Sequence, residues 1–290
     1  MPVLSYFDFN NKFWLRRIHI TLPLVLCLNF ISFASFATAY TSPPTQGPLT
    51  LVQGDTLQVT SGTMTASTGG FTVTNASNFD SITVNDVATL SYSGTSGVPI
   101  FIANNTAVFG PGIIYINING NVTAPNGSNA IQTNDLRGGD ALDLNVSING
   151  STAGQGVITG GILMQLYYNN LRIDGYAQVN GDCISVGSEE FSSIYFGETA
   201  VTNYVSNGNF VAFDHMQILN GSSFTLSAAN SISGRLQELI IDATSTAIFY
   251  GSVTLEDSNY GSGTLEINGT AFLKSGSSLV TSVVTNANRL

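Results

Sequence analysis

The chain is poor in charged residues, and in cations above all. Of its 290 residues 9% are charged, and eight Lys and Arg against 18 Asp and Glu give a formal net charge of −10. Residues 1–39 hold three of the cations and one of the acids, so their removal would lower the charge to −12. Phosphate recognition needs clustered Lys and Arg. The composition therefore argues against nucleic acid and an anionic membrane surface as partners.

Cysteine and amphipathic helix patterns are also scarce. Cys27 lies in the N-terminal apolar region, and Cys183 is the only other cysteine. A chain without residues 1–39 would keep one thiol and form no internal disulfide. Beyond residue 40 no long segment shows the three- and four-residue apolar spacing of a helix. We therefore expect an all-β fold held by packing and backbone hydrogen bonds.

The N-terminal region has the pattern of an export signal. Basic residues at 12–17 precede an apolar run over 21–39, which ends in Ala37-Thr38-Ala39. This order is typical of a secretory signal peptide. We predict a signal peptide over residues 1–39, with cleavage between Ala39 and Tyr40.

The remaining residues, 40–290, are predicted to form one β-helix domain, because their composition and residue pattern stay the same throughout and no linker segment stands out. The alternative for the N-terminal run is a single membrane anchor, which Pro23 and Asn29 disfavour. An exported protein at the cell surface or outside the cell is the expected localisation.

A short unit recurs through the second half of the chain. Each copy has an apolar-x-apolar pair, then turn residues, then a second apolar stretch. The copies lie at 169–181, 192–203, 215–228, 237–251 and 263–276. Their second apolar residues are Ile173, Phe196, Ile218, Ile241 and Ile267, at spacings of 23, 22, 23 and 26 residues. Such a period is typical of a solenoid, whose units bury their apolar faces only against neighbours.

The apolar residues of each copy alternate, as in Leu171 and Ile173 or Leu239 and Ile241. Alternation and β-branched residues predict strands. The simplest stack is a parallel β-helix of about ten or eleven coils, in which Ile173, Ile218, Ile241 and Ile267 share one inward column. Further strands are predicted at 56–60, 70–74, 81–85, 88–93, 99–103 and 112–118.

Frequent Asn-Gly pairs leave an antiparallel alternative open. Asn-Gly between alternating strands is the strongest short signal for a hairpin. In a β-helix the same pair supplies left-handed backbone at a corner between two strands of a coil. The regular period favours corners, as at Asn180-Gly181 and Asn268-Gly269.

The segment GSGTLEINGTAFLKSGSSL (261–279) resembles the Gly-rich repeat units of bacterial autotransporter passenger domains. The long leader, the low Lys and Cys content and the Ser/Thr/Asn-rich repeats are similar as well. The resemblance implies a single-stranded, right-handed parallel β-helix on a Gram-negative cell surface, often an adhesin. It also implies a C-terminal membrane barrel. The chain ends at Asn288-Arg289-Leu290 without such strands, so membrane attachment is expected only through a missing or separate barrel.

One polar loop is a weak candidate for ligand binding. Asp135, Arg137, Asp140 and Asp143 lie together in NDLRGGDALD (134–143). Two acids at this spacing could pair for glycosidic acid–base chemistry or hold Ca²⁺. A solvated loop with an Arg–Asp pair is the simpler interpretation.

The segment GDCISVGS (181–188) resembles a catalytic segment of polygalacturonases, in which Asp182 would match one catalytic acid. That family has two acids where this chain has one, and its further motifs are missing. A corner Asp beside a buried Cys183 is therefore the preferred interpretation.

A lone histidine and a pair of tyrosines are weaker candidates for chemistry. His215 is the only histidine after residue 40, so a zinc site is improbable. Of the neighbours Tyr167 and Tyr168, one should point outward, where it could contact a sugar.

We expect no catalytic residues, cofactor or metal, and a non-catalytic adhesin or display scaffold whose partner is a glycan or a host surface protein. The alternative is a polysaccharide lyase or glycoside hydrolase on the same fold, because fold does not imply function.

Overall fold

The computed structural model describes residues 39–41, 49–51, 56–66, 71–74, 81–92, 97–104, 112–125, 127–135, 142–166, 168–186, 192–255 and 264–281. These residues belong to one compact unit, which spans 38–290. Throughout these ranges the chain forms strands and turns and no helix. Accordingly, the described segments include no helix long and apolar enough to cross a membrane. The predicted signal peptide lies outside them, except for Ala39.

In chain order the strands are β1 (Ala39–Thr41), β2 (Leu49–Leu51), β3 (Thr56–Val59), β4 (Gly62–Ala66), β5 (Phe71–Thr74), β6 (Ser81–Val84), β7 (Ala88–Tyr92), β8 (Ile100–Asn104), β9 (Gly112–Ile118), β10 (Asn121–Thr123), β11 (Asn129–Asp135), β12 (Leu142–Gly150), β13 (Val157–Thr159), β14 (Gly161–Met164), β15 (Tyr168–Gly175), β16 (Gln178–Asn180), β17 (Cys183–Ser185), β18 (Ser192–Phe196), β19 (Asn203–Val205), β20 (Phe210–Val211), β21 (His215–Ile218), β22 (Ser223–Leu226), β23 (Ser231–Ser233), β24 (Glu238–Ile241), β25 (Thr246–Phe249), β26 (Ser252–Leu255), β27 (Thr264–Ile267), β28 (Thr270–Leu273) and β29 (Ser278–Thr281). The strands predicted between residues 56 and 118 are confirmed, most with ends shifted by one residue.

The strands fall into three faces that the chain visits in turn. The first face is a ten-stranded sheet in the order β1-β3-β6-β9-β12-β15-β18-β21-β24-β27. The third face is a ten-stranded sheet in the order β2-β5-β8-β11-β14-β17-β20-β23-β26-β29. The second face is divided into β4-β7-β10-β13-β16 and β19-β22-β25-β28. We call each successive set of strands a coil, and the described residues contain ten.

Every strand pairing in the described segments is parallel. A hairpin joins antiparallel strands, so none of the described Asn-Gly pairs closes one. The architecture is all-β, with stacked parallel strands, and is consistent with a parallel β-helix.

The predicted inward column exists. The backbone registers Ile173 with Phe196, Phe196 with Ile218, Ile218 with Ile241, and Ile241 with Ile267. The first four side chains are fully buried, whereas Ile267 is 45% exposed. The reason is that Ile267 lies in the last described coil, where no further described coil covers it. The prediction that Ile267 is an inward residue is confirmed for its register and wrong for its burial.

Aromatic side chains fill the core of the seventh and eighth coils. Phe196, Tyr204, Phe210 and Phe224 are all buried, and their ring centroids lie 4.8–6.0 Å apart. Tyr204 brings a hydroxyl into this cluster and donates it to the carbonyl of Val179, at 3.3 Å. Contacts of this kind add to the apolar burial of the rings. The cluster lies beside the division of the second face, between β16 and β19.

Glycines permit close stacking at the corner between the second and third faces. A Cβ on Gly208 would lie 2.1 Å from the carbonyl oxygen of Gly181, and one on Gly181 would lie 2.5 Å from the carbonyl carbon of Gly160. Of these three, Gly160 also has a positive φ, of 119°. The Asn180-Gly181 and Asn207-Gly208 pairs thus mark corners where neighbouring coils approach too closely for a side chain.

Candidate functional site

The predicted polar loop falls mostly outside the described residues. Asp135 ends β11, in backbone register with Asn104, whereas Arg137 and Asp140 lie outside the described ranges. Asp143 lies on β12 and is partly buried, and this burial raises the pKa of its carboxyl. A ligand site in this loop therefore stays a prediction. In the described part of the chain no group of three or more His, Cys, Asp or Glu could hold a metal ion.

Asp182 bonds the next coil. Its Oδ1 accepts hydrogen bonds from the backbone N–H of Asn209, at 2.8 Å, and from the Asn209 side chain, at 3.1 Å. Asn209 Oδ1 in turn accepts from the backbone N–H of Ser231, at 2.9 Å. The adjacent Cys183 is fully buried, and this burial, with the charge of Asp182, raises the pKa of its thiol. These contacts match the corner interpretation of Asp182.

Asp214 is fully buried and tied to both neighbouring coils. Its Oδ2 accepts from the backbone N–H of Ser192, at 2.7 Å, and its Oδ1 lies 3.7 Å from Nε of Arg235. Arg235 also donates to the carbonyl of Ala212, at 3.1 Å. A buried carboxylate requires such partners, because an unpaired charge in the core is costly.

Two further acids anchor turns. Asp174 is 1% exposed and accepts from the backbone N–H and the hydroxyl of Thr199, at 3.1 and 2.6 Å. Asp242 accepts from the backbone N–H groups of Asn220 and Thr244. Burial acts to raise the pKa of Asp242, but the Ser245 hydroxyl and these hydrogen bonds outweigh it and lower the pKa.

Polar side chains, two of them titratable, also follow one another on the outer side of the first face. Ser193, His215 and Glu238 are register partners on three adjacent strands. His215 Nδ1 lies 3.2 Å from Glu238 Oε2, and both side chains are 32% exposed. Arg172 of β15 forms an ion pair with Glu198, which lies on the turn after β18. Tyr168 points outward and is partly exposed, as one of the two neighbouring tyrosines was expected to be; Tyr167 lies outside the described residues.

A groove of about 540 Å³ lies on the outer side of the second face, where its two sheets are divided. Its position follows from turn length. The turns between the first and second faces have six residues in the fifth coil (151–156), two in the sixth (176–177) and six in the seventh (197–202). The short turn is therefore recessed between two longer ones. The groove is lined by Ala153, Gly154, Gly175, Tyr176, Gln178, Val201 and Asn203.

Tyr176 is the most prominent side chain of this groove. It stands on the short turn and is 59% exposed, and Val201 on the seventh-coil turn is 54% exposed. Sequence reasoning missed this site. The sequence did not show the alternation of long, short and long turns, because turn length depends on strand boundaries that only the structure gives.

The predicted cleavage site lies in the first described strand. Ala39 and Tyr40 belong to β1, in register with Thr56 and Leu57 of β3. Cleavage between Ala39 and Tyr40 stays a prediction.

Comparisons with known proteins identify no relative. A scan against protein-family models, a search of curated proteins and a search of solved structures each found no match. The function is therefore argued from the chain itself.

Proposed function

We propose that this chain is an exported, non-catalytic binding and display scaffold, built as a single-stranded right-handed parallel β-helix of the autotransporter passenger type. The parallel order of all three faces supports the helix, and the strong right-handed preference of parallel crossovers supports its hand. The likeness of residues 261–279 to passenger repeats supports the class, and the leader pattern supports export to a Gram-negative cell surface or beyond.

The observation that carries the proposal is that four aspartates are engaged in structural hydrogen bonds. Asp174, Asp182, Asp214 and Asp242 each accept hydrogen bonds from backbone N–H groups of a neighbouring coil or turn. Backbone N–H donors fix the position and direction of the carboxylate that accepts from them. These carboxylates link neighbouring coils and fix turns to strands. They therefore have a structural role, as expected of a scaffold.

The competing function is a polysaccharide lyase or hydrolase. An enzyme of this kind would use the partly exposed pair of His215 and Glu238 on the outer side of the first face as its acid and base. In the scaffold proposal this pair only joins two neighbouring coils.

The deciding experiment measures turnover and binding on the same preparation. Protein purified from expression of the full chain is incubated with pectin, alginate and neutral plant and bacterial polysaccharides. Released reducing ends and unsaturated products are assayed, and retention on each immobilised polymer or on host cells is measured. We expect retention on at least one surface without product.

Matched variants make the result specific. His215→Ala and Asp182→Asn are compared with the parent, after circular dichroism shows the same β spectrum. Binding that survives both substitutions supports the scaffold. Product release that either substitution abolishes would overturn the proposal in favour of an enzyme.

A further inference from the structure

The groove at Tyr176 has walls held in place. On the seventh-coil side, Asp174 binds the backbone N–H and the hydroxyl of Thr199. The hydroxyl of Thr202 donates to the carbonyl of Gly175, at 2.8 Å, and so ties the end of the same turn to the groove floor. Val201 is therefore displayed from a turn fixed at both ends.

The fifth-coil wall is braced in a similar way. Gln155 Oε1 accepts from the hydroxyl of Ser151, at 2.6 Å, and from the backbone N–H of Thr152, at 3.2 Å. The same Ser151 hydroxyl lies 3.1 Å from Oδ2 of Asp86 in the third coil, so its single proton is shared between the two acceptors. A site whose walls are fixed before binding loses less entropy when a ligand arrives.

The two walls lie two coils apart, which corresponds to about 10 Å at the spacing of β-strands. A volume of about 540 Å³ falls within the range of small-molecule sites. A groove of this width and volume admits one sugar ring with its neighbours running along the groove.

The lining is neutral and amphipathic. None of its seven residues, all described, carries a charge. Tyr176 is 59% exposed, and the lining also includes the amide side chains of Gln178 and Asn203. Ser223 donates to Oδ1 of Asn203, at 2.7 Å, which leaves the amide nitrogen of Asn203 to donate to a ligand.

We propose that this groove binds a neutral pyranose residue of a glycan, with the sugar ring stacked on Tyr176 and its hydroxyls bonded by Gln178 and Asn203. This inference rests on the proposed binding function and names its site and ligand class. Pyranose rings present apolar C–H faces that match an aromatic ring and hydroxyls that match amides. A uronate would bring a carboxylate for which the lining supplies no cation.

An extended peptide added to the edge of β16 is less favoured. Strand addition uses free backbone groups at a sheet edge. The carbonyl of Val179, in the middle of β16, already accepts the hydroxyl of Tyr204. One hydrogen-bond acceptor of the β16 edge is therefore already occupied by a side chain of the protein itself.

The test uses protein from the full chain and a panel of neutral oligosaccharides, namely gluco-, galacto- and manno-oligosaccharides, with oligogalacturonate and a β-strand-forming peptide as competitors. Binding is measured by saturation-transfer NMR and by titration calorimetry. We expect at least one neutral oligosaccharide to bind. Tyr176→Ala should weaken it roughly tenfold or more, because the stacking surface is lost.

Three further variants separate stacking from general damage. Tyr176→Phe keeps the ring and should bind within about threefold of the parent, while Gln178→Ala and Asn203→Ala should each weaken binding roughly twofold to tenfold for one lost hydrogen bond. Tyr250→Ala removes a comparably exposed tyrosine (42%) outside the groove lining and should leave binding unchanged.

The outcomes distinguish the site from the function. Three outcomes would overturn the proposed sugar site in the groove while leaving a non-catalytic scaffold intact. In the first, Tyr176→Ala does not change the binding of a neutral oligosaccharide. In the others, no neutral oligosaccharide binds, or the uronate or the peptide binds in preference. Turnover of a bound glycan would overturn the scaffold function while leaving the groove as its sugar-binding site.

Discussion

Replacing Ile241 by Ala tests the stacking of the coils most directly. Ile241 is fully buried, and its backbone is in register with Ile218 on one side and Ile267 on the other. The substitution therefore opens a hole in a continuous column rather than at a surface.

The expected cost follows from what is removed. Ile→Ala deletes three carbon groups, worth about 0.8 kcal/mol each on burial, or about 2.4 kcal/mol in all. The cavity left between two coils adds to this, so we expect a loss of about 3–4 kcal/mol in the free energy of unfolding. Ile267→Ala removes the same groups from a side chain that is 45% exposed. Its cost should be about 1 kcal/mol, since roughly half of the transfer term remains and no closed cavity forms.

The assay is urea unfolding followed by circular dichroism, with the midpoints compared at unchanged slope. Ile240→Ala is the matched control, because Ile240 directly precedes Ile241 in β24 and points outward, between Gln217 and Glu266. It should cost less than about 1 kcal/mol. Equal losses for Ile240→Ala and Ile241→Ala would refute the register, and a large loss for Ile267→Ala would show that the last described coil is covered.

Three other predictions concern corners, burial and pH. Gly208→Ala should lower the free energy of unfolding by about 3 kcal/mol or more, because its Cβ would lie 2.1 Å from the carbonyl oxygen of Gly181. Gly127→Ala, with φ +76° and open space around it, should lower it by only about 1 kcal/mol. Similar urea midpoints for the two variants would contradict the close stacking. The thiol of Cys183 should react with a thiol reagent only in unfolded protein, because burial raises its pKa and shields it from the reagent. Labelling of Cys183 in the native protein as fast as in the unfolded protein would disprove this. The lowered pKa of Asp242 adds stability that is present above its ordinary value of 3.8 and lost as the pH falls through the lower folded value. Asp242→Asn should therefore flatten the acid side of the stability profile measured by urea midpoints, and an unchanged profile would count against the hydrogen bonds at this turn.

Local pattern predicted the architecture well. The spacing from Ile173 to Phe196, Ile218 and Ile241 is the length of one coil, and the backbone registers these residues as partners. Alternation was informative because side chains of a strand point to opposite sides, so one residue in two must be buried. The same spacing did not show that Ile267, in the last of these copies, would be 45% exposed.

The roles of the polar residues were less predictable. Asp182 was correctly interpreted as a corner residue, but the sequence did not show that it bonds Asn209, which lies 27 residues further on. Partners one coil away depend on the exact number of residues in each turn. A single insertion would pair the carboxylate with a different backbone group.

The amino-acid sequence by itself determined that this chain is all-β, repetitive, and poor in cations and cysteine, because alternation, period and composition can be read along the chain without knowing its fold. Only the tertiary structure decided the three faces, the division of the second face and the groove at Tyr176. Each of these arises where coils separated by more than twenty residues meet. A two-residue turn becomes a groove floor only when six-residue turns from the coils on both sides stand over it.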